Sequence, residues 1–224
     1  MFFVKAIGIL GSPRRIGNSA KMLDATLKVL SDNGFETEVV YLAEKKIGYC
    51  LGCGTCLMKG ECFQRDDMDE IRKKIEESNV VILASPMYYL NVTAQMKTFI
   101  DRMLAYGHRP TLTGKYGGSI VVYAGVGDPK AVADYLNMVL RAWGIIPVGY
   151  AIGFGVLPGE VKEEHLKEAE NLGRRILRAI EEGYKPEVDE RGRKLQEQLL
   201  KLISDYRHIL KADYEFWKKK GVLK

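Results

Sequence analysis

Hydrophobic positions along this chain fall into short apolar runs that alternate with longer amphipathic stretches. The apolar runs, bounded by turn residues, predict buried strands at 4–10, 36–42, 80–84, 119–124 and 145–152. Apolar residues at helical spacing predict helices at 18–31, 94–104, 129–143 and 162–181. A further helix is predicted to begin at residue 66 or 67. Because strands and helices alternate, we predict an α/β domain whose parallel sheet is covered by helices on both faces.

Past residue 185 the pattern changes to one long charged helix at about 190–211. Its apolar residues recur on one side, namely Leu195, Leu199, Leu202, Tyr206 and Ile209. We therefore divide the chain into a domain at 1–185 and a helical extension at 186–224. The extension either packs on its own domain or clasps a second subunit, and we favour an oligomerisation arm.

Size and charge narrow the functional classes. With 224 residues, 46% of them hydrophobic, the chain can bury the core of one domain with an appendage. The net charge of +5 is spread along the chain, and no apolar stretch is long enough to cross a bilayer, so we expect neither nucleic acid nor membrane as a partner. The chain enters its first strand directly, which predicts a cytoplasmic protein. His108, His165 and His208 match no ligand spacing and are expected at the surface, and we assign no catalytic residue.

All four cysteines lie in one run at 50–62 with the spacing C-x2-C-x2-C-x5-C. They are Cys50, Cys53, Cys56 and Cys62. This spacing is typical of iron–sulfur ligands, although the last gap is longer than in ferredoxins. Structural zinc usually takes two separated C-x2-C pairs, so zinc fits less well. Zinc and free redox-active thiols remain the alternatives.

The loop at 11–19, after the first strand, collects anion-binding groups at the start of a helix, where free N–H groups bind phosphate. Asn18 stands where a Walker loop has lysine, and the loop is not G-x-G-x-x-G either. We therefore predict a site for a terminal monophosphate. Ser12, Asn18 and Ser19 would donate hydrogen bonds, and Arg14 or Arg15 would offset the charge.

Two further loops are expected at the same edge of the sheet. The loop after the third strand carries Tyr88 and Tyr89, whose rings suit a planar ligand. The loop after the fourth strand, 124–128, contains two glycines that let backbone N–H groups approach such a ligand. In a doubly wound sheet, ligands bind at this edge beside the switch point.

Three motifs together make the chain resemble the iron–sulfur flavoproteins of the flavodoxin-like NAD(P)H-dependent FMN reductase superfamily. They are G-S-P-R-x-x-G-N-S at 11–19, the cysteine motif at 50–62, and S-P-M-Y-Y-x-N-V-T-A-Q-M-K at 85–97. The resemblance implies a flavodoxin-like, doubly wound, five-stranded parallel sheet in the order 2-1-3-4-5. It also implies FMN, a 4Fe-4S cluster on the four cysteines, and a homodimer or homotetramer that places the cluster loop of one subunit near the flavin of another.

The resemblance also assigns residues to the cofactor. The FMN phosphate would lie against Ser12, Arg14, Gly17, Asn18 and Ser19. The flavin ring would lie against Pro86, Met87, Tyr88, Tyr89 and Asn91 and, from the next loop, Ala124, Gly125, Gly127 and Asp128.

Such a pair of cofactors indicates an electron-transfer flavoprotein that passes electrons from a ferredoxin-like donor to a small acceptor such as oxygen, peroxide or a quinone. The alternative is an NAD(P)H-dependent FMN or quinone reductase without a cluster, whose cysteines bind zinc or remain free. A redox or metal sensor is a third, less supported class, because no DNA-binding helix pair stands out.

Overall fold

The computed structural model describes residues 4–187 and 190–224. Its centre is a parallel sheet of strands β1 (Val4–Leu10), β2 (Phe35–Tyr41), β3 (Val80–Pro86), β4 (Tyr116–Tyr123) and β5 (Ile146–Phe154). The strand order is β2-β1-β3-β4-β5, and every neighbouring pair is parallel. The predicted flavodoxin-like order 2-1-3-4-5 is therefore confirmed.

Helices cover both faces of the sheet. The chain up to residue 181 forms α1 (Asn18–Asp32), α2 (Thr55–Lys59), α3 (Met68–Glu77), α4 (Ala94–Arg102), α5 (Leu104–His108), α6 (Pro129–Ala142) and α7 (Glu163–Glu181), of which the short helices α2 and α5 contact each other. Apolar residues of α1 and α7 pack on one face, and those of α3, α4 and α6 pack on the other. The central strand β3 is buried from residue 80 to 85, because helices lie on both of its sides.

Several element boundaries differ from the prediction. β2 ends at Tyr41 and is followed by a 3-10 turn at Leu42–Glu44, while β3 extends to Pro86. The helix expected at 94–104 ends at Arg102, and the separate helix α5 follows it. Helix α2, inside the cysteine run, was not predicted, because its five residues are too few to show a helical period.

The C-terminal extension consists of two helices, α8 (Glu190–Asp205) and α9 (Lys211–Lys219). The prediction of a single helix at 190–211 is therefore wrong, since the chain turns at 206–210. Helix α9 packs against α2 of the same chain. None of the described helices is long and apolar enough to span a membrane. Residues 1–3, on which the expectation of a direct start into the first strand partly rested, lie outside the described residues.

Candidate functional site

The loop between β1 and α1 forms an anion cradle at the carboxyl edge of the sheet. Ser12 and Ser19 are buried, and the Ser12 hydroxyl accepts a hydrogen bond from the Arg14 N–H at 3.1 Å. Helix α1 follows Gly17, and within the described chain no side chain caps that helix end. The first-turn N–H groups therefore remain available to an external acceptor, as in known phosphate sites.

Asn18 has a role that its position in the motif did not reveal. Its amide donates to the Leu157 carbonyl at 2.9 Å, and its side-chain oxygen accepts from the N–H groups of Gly159 (2.8 Å) and Val161 (3.3 Å). Sequence analysis expected this amide to donate to a phosphate, but here it holds the loop between β5 and α7. That loop adds the exposed side chains of Val156 and Leu157 beside the cradle, and sequence analysis missed it although Gly155 and Pro158-Gly159 mark a turn.

The two arginines of the cradle are separated by their surroundings. Arg15 lies over the Tyr41 ring, 4.4 Å from its centroid, and forms an ion pair with Glu44 at 2.9 Å. Arg14 is exposed at the turn itself, next to Ser12. The structure therefore leaves Arg14 better placed than Arg15 to offset a bound phosphate.

The loop between β3 and α4 ends in a tight turn at 88–91. Pro86 is the last residue of β3, and the Met87 N–H bonds to the Val122 carbonyl at 2.7 Å. Tyr88 and Asn91 exchange backbone hydrogen bonds of 2.8 and 3.2 Å across the turn.

The two central residues of this turn have unusual backbone conformations. Tyr89 and Leu90 have φ values of 45° and 70°, which are uncommon for residues other than glycine. The Tyr89 side chain is 100% exposed. Strained turns of this kind cluster at ligand sites.

The loop at 124–128 meets that turn from β4. Gly127 has φ of 99°, and a Cβ there would lie 2.8 Å from both Met87 Cε and Leu90 Cδ2. Glycine is therefore required by both conformation and space. Asp128 caps α6 by accepting from the Ala131 N–H at 3.1 Å, so its carboxylate already has a structural partner. Ala124 and Gly125 lie at the start of the same loop.

Thr93 joins the first two loops. Its hydroxyl donates to the Gly11 carbonyl at 2.6 Å, and its N–H donates to the hydroxyl of Ser85 at 3.2 Å. The side chains of Thr93 and Ser85 are buried. The Gly11 N–H also bonds to the Ala84 carbonyl, at 2.8 Å. Thr93 and Ser85 therefore fix the spacing between the cradle and the 88–91 turn, a role that adjacency in sequence could not indicate.

The cysteine loop lies between the 3-10 turn at Leu42–Glu44 and helix α3. Cys50 and Cys53 are exposed, whereas Cys56 and Cys62 are half-buried. Hydrogen bonds from Thr55 lower the pKa of the Cys53 thiol. Burial raises the pKa of the Cys56 thiol, and the charges of nearby Cys62 and Cys50 raise it further against the opposing charge of Arg109.

Among the described residues, no three Cys, His, Asp or Glu side chains are grouped closely enough for a single metal ion. In a cubane cluster each thiolate binds its own iron atom, so the sulfurs need not surround one point.

A buried cation supports the loop from α4. Arg102 is 4% exposed and bonds to Asp66 at 2.5 and 3.1 Å and to the Gly48 carbonyl at 2.8 Å. Its Nη2 lies 3.8 Å from Cys62 Sγ, and its buried Nε has no partner among the described residues. A buried guanidinium suits an anionic thiolate cluster, so the donor set and its surroundings fit such a group.

Asp66 completes this support. Burial raises its pKa, but hydrogen bonds from Arg102 and from the N–H groups of Gly48 and Met68 outweigh that effect and hold the pKa below its usual value. The carboxylate therefore stays ionised and pairs with Arg102 where the cysteine loop meets α3.

A cleft of about 360 Å³ opens beside the cysteine loop. Its lining includes Cys56 and Cys62 together with Arg72, Tyr106 and Arg109. Two cysteine residues thus border a cleft whose walls carry both cationic side chains and the carboxylates of Glu61, Asp69 and Glu76.

Comparison with known proteins identifies the family of this chain. The family model described as NADPH-dependent FMN reductase matches residues 4–155, which include all three loops and the cysteine run. An iron–sulfur flavoprotein of Archaeoglobus fulgidus is 67% identical over 220 residues, covering 98% of this chain and 100% of that protein. An iron–sulfur flavoprotein of Methanocaldococcus jannaschii is 34% identical over 188 residues, covering 79% of this chain and 97% of that protein.

A solved structure also shares the fold. The NAD(P)H:quinone oxidoreductase from Methanothermobacter marburgensis superposes with a TM-score of 0.61 at 18% identity, covering 77% of this chain and 98% of that one. At that identity the similarity concerns the fold alone. The family match, the relatives and the shared sheet edge lead to one conclusion: the chain belongs to the NADPH-dependent FMN reductase family and is a flavin-dependent oxidoreductase that uses FMN.

Proposed function

We propose that this protein is an electron-transfer flavoprotein with FMN and a 4Fe-4S cluster, which passes electrons from a ferredoxin-like donor to a small acceptor. The observation that carries the proposal is the C-x2-C-x2-C-x5-C loop, backed by the buried Arg102 guanidinium 3.8 Å from Cys62 Sγ. Four thiolates are the ligands that a 4Fe-4S cluster takes, and the nearby guanidinium would offset part of their negative charge.

In this proposal the cradle holds the FMN phosphate. Ser12 and Ser19 supply hydroxyls, Gly17 and Asn18 supply backbone N–H groups at the start of α1, and Arg14 supplies the balancing charge. The Asn18 amide contributes indirectly, because its bonds to residues 157–161 hold the wall of the cradle.

The flavin ring would be held by two loops at the sheet edge. One loop would contribute Pro86, Met87, Tyr88, Tyr89 and Asn91, and the other would contribute Ala124, Gly125, Gly127 and Asp128. The close approach of Gly127 to Met87 supports this placement, since it brings the two loops together. Backbone N–H groups are sufficient to bind the ring nitrogens, so no side-chain acid or base is assigned.

Cys50, Cys53, Cys56 and Cys62 would hold the cluster. When bound, FMN exchanges electrons in pairs or singly, whereas a cubane cluster exchanges one at a time. The chain's own contribution is positional: Arg102 offsets thiolate charge at Cys62, and the cleft beside Cys56 leaves an approach for an external donor.

A second candidate is an NAD(P)H-dependent FMN or quinone reductase whose cysteines bind zinc or remain free. The family description favours it, because it names NADPH as the reductant. Two exposed thiols, Cys50 and Cys53, would then be incidental to the reaction at the flavin.

Exposed apolar side chains support an oligomer. The cysteine loop exposes Tyr49, Leu51 and Phe63, and the proposed flavin edge exposes Tyr89 and Val126. Such patches are typical of protein interfaces, and a homodimer or homotetramer could cover one patch with the other. The exposed apolar residues Leu195 and Leu202 of α8, and Tyr206 in the turn after it, would extend that contact. We also propose a cytoplasmic location, where thiols stay reduced.

Anaerobic purification followed by iron, sulfide, zinc and flavin analysis tests the proposal. About four iron and four sulfide per chain with bound FMN would support it. FMN with zinc, or with no metal, would instead support the second candidate. Stopped-flow mixing with NADPH separates them further, because rapid flavin bleaching by NADPH would contradict a ferredoxin-fed protein.

A further inference from the structure

The last helix of the chain closes over the cysteine loop. Helix α9 packs on α2, and Ala212 comes so near that a Cβ at Gly60 would lie 3.9 Å from it. The Trp217 indole is buried and donates to the His108 carbonyl at 2.9 Å. A helix from the C-terminal extension is therefore bound to the same segment that carries the thiols.

A buried carboxylate anchors this contact. Asp213 is 0% exposed, and its oxygens bind the Arg109 guanidinium and the His108 Nδ1, the latter at 2.8 Å. Sequence analysis expected His108 at the surface, but it is half-buried against α9. A fully buried carboxylate is costly unless it is paired, so the position of α9 depends on these two partners.

Arg109 connects Asp213 to the backbone of the cysteine loop. One guanidinium nitrogen bonds to Asp213, while the other donates to the carbonyls of Cys56 at 3.0 Å and Gly60 at 2.8 Å. Gly60 is the C-cap residue of α2, and its N–H bonds to the Cys56 carbonyl, so Arg109 contacts both residues of this closing hydrogen bond. A continuous set of hydrogen bonds therefore runs from α9 through Asp213 and Arg109 to the backbone of a cysteine.

We propose that Asp213 and Arg109 are positioning residues through which α9 sets the place of Cys56 in the cysteine loop. The inference rests on the proposed function, in which that loop holds a 4Fe-4S cluster, and it gives the C-terminal extension a role within its own subunit. Outer contacts of this kind orient metal ligands, and their loss weakens metal retention.

Asp213→Asn in the full chain, prepared anaerobically, tests the inference. Iron release to a chelator should become about 10-fold faster, while the FMN content stays at the wild-type level. The cluster's reduction potential should shift to more positive values, because Arg109 loses its balancing carboxylate near the thiolates. Asp205→Asn is the control, since Asp205 makes an exposed pair with Lys201 at 3.1 Å in α8. If Asp213→Asn releases iron at the wild-type rate and has the wild-type reduction potential, the inference is overturned.

Hydrogen exchange on the metal-free chain separates this inference from the proposed function. In Asp213→Asn, amides of the segment 54–62 should exchange about 10-fold faster, since a charge-assisted hydrogen bond is worth roughly that factor. A wild-type protein without iron would contradict the proposed function, yet faster exchange would still support positioning of the loop. Unchanged exchange would contradict positioning even if the wild type holds a cluster.

Arg109→Lys provides a second variant if Asp213→Asn does not fold. Lysine keeps the charge but cannot reach the carboxylate and both carbonyls with one planar group. Iron release should again be faster than in wild type, at unchanged FMN content. Wild-type iron release in Arg109→Lys would overturn the proposal.

Discussion

In the β1–α1 cradle, Ser12 bonds to Arg14 two residues away, and the helix start that follows supplies its own N–H groups. In the cysteine loop, by contrast, the supporting groups are Arg102 and Arg109, which lie 40 and 53 residues from the Cys62 and Cys56 atoms they bond. The anion-binding groups of the cradle are thus neighbours in sequence, although Thr93 and the loop at 155–161 also bond to it from a distance, whereas the cations beside the thiols come from residues far along the chain. We expect substitutions of those two arginines to change the cysteine loop and to leave the cradle intact.

The largest effect should come from removing a thiol. In Cys53→Ala, iron and sulfide should fall to background while FMN remains bound, because one of four ligands is lost and the cradle is untouched. Metal and flavin analysis of the anaerobically purified variant measures this. Thr55→Ala is the matched control, since it removes the hydroxyl 3.2 Å from Cys53 Sγ and keeps the thiol. Full iron content in Cys53→Ala would show that Cys53 is not a ligand.

Removing the buried support of the loop should have the next largest effect. Arg102→Met leaves Asp66 without its cation and should lower the free energy of unfolding by about 3–5 kcal/mol, as expected for a broken buried ion pair. Chemical denaturation measures this change. Arg174→Met, which breaks the exposed pair with Glu170, should leave stability close to wild type. Equal stability of the two variants would contradict the supporting role of Arg102.

Loss of the Asn18 amide should affect the cradle alone. Asn18→Ala frees the loop at 155–161 and should weaken FMN binding by about 10-fold, because three hydrogen bonds that hold the wall disappear. Fluorescence titration of the FMN-free protein measures the affinity. Asn33→Ala is the control, since its exposed amide bonds to the Val29 carbonyl at the far end of α1. Unchanged FMN affinity in Asn18→Ala would separate this loop from the flavin site.

The smallest effect should arise where the two ring loops meet. Gly127→Ala should cost about 1–2 kcal/mol of stability for the positive φ, and it should also reduce FMN affinity by displacing Met87 and Leu90. Gly114→Ala is the control, because Gly114 has φ of 82° with nothing within 4 Å of an added Cβ. Thermal unfolding and FMN titration of both variants should show a stability loss in each but an affinity loss in Gly127→Ala. If Gly127→Ala and Gly114→Ala bind FMN with equal affinity, the 124–128 loop does not contribute to the flavin site.

Local patterns in the sequence predicted the five strands, the long covering helices and the positions of the three edge loops, while the strand order was implied by the family resemblance. Apolar runs and helical periods report burial directly, so strands such as β1 were predicted with their observed bounds. The parallel strands then place the cradle and the 88–91 turn at one edge by geometry alone. The cysteine spacing likewise identified the candidate ligands without any structure.

Only the tertiary structure decided which polar groups meet across the chain. The bonds of Asn18 to residues 157–161, of Thr93 to Gly11 and of Asp213 to Arg109 join segments that are 82 or more residues apart. Neither periodicity nor motif reports such pairs, because a hydrogen bond depends on where two segments pack rather than on their neighbours in sequence. For the same reason the amphipathic pattern did not predict the break after α8 or the packing of α9 on the cysteine loop. Such a pattern shows that one face of a helix is apolar, but it does not show which part of the molecule covers that face.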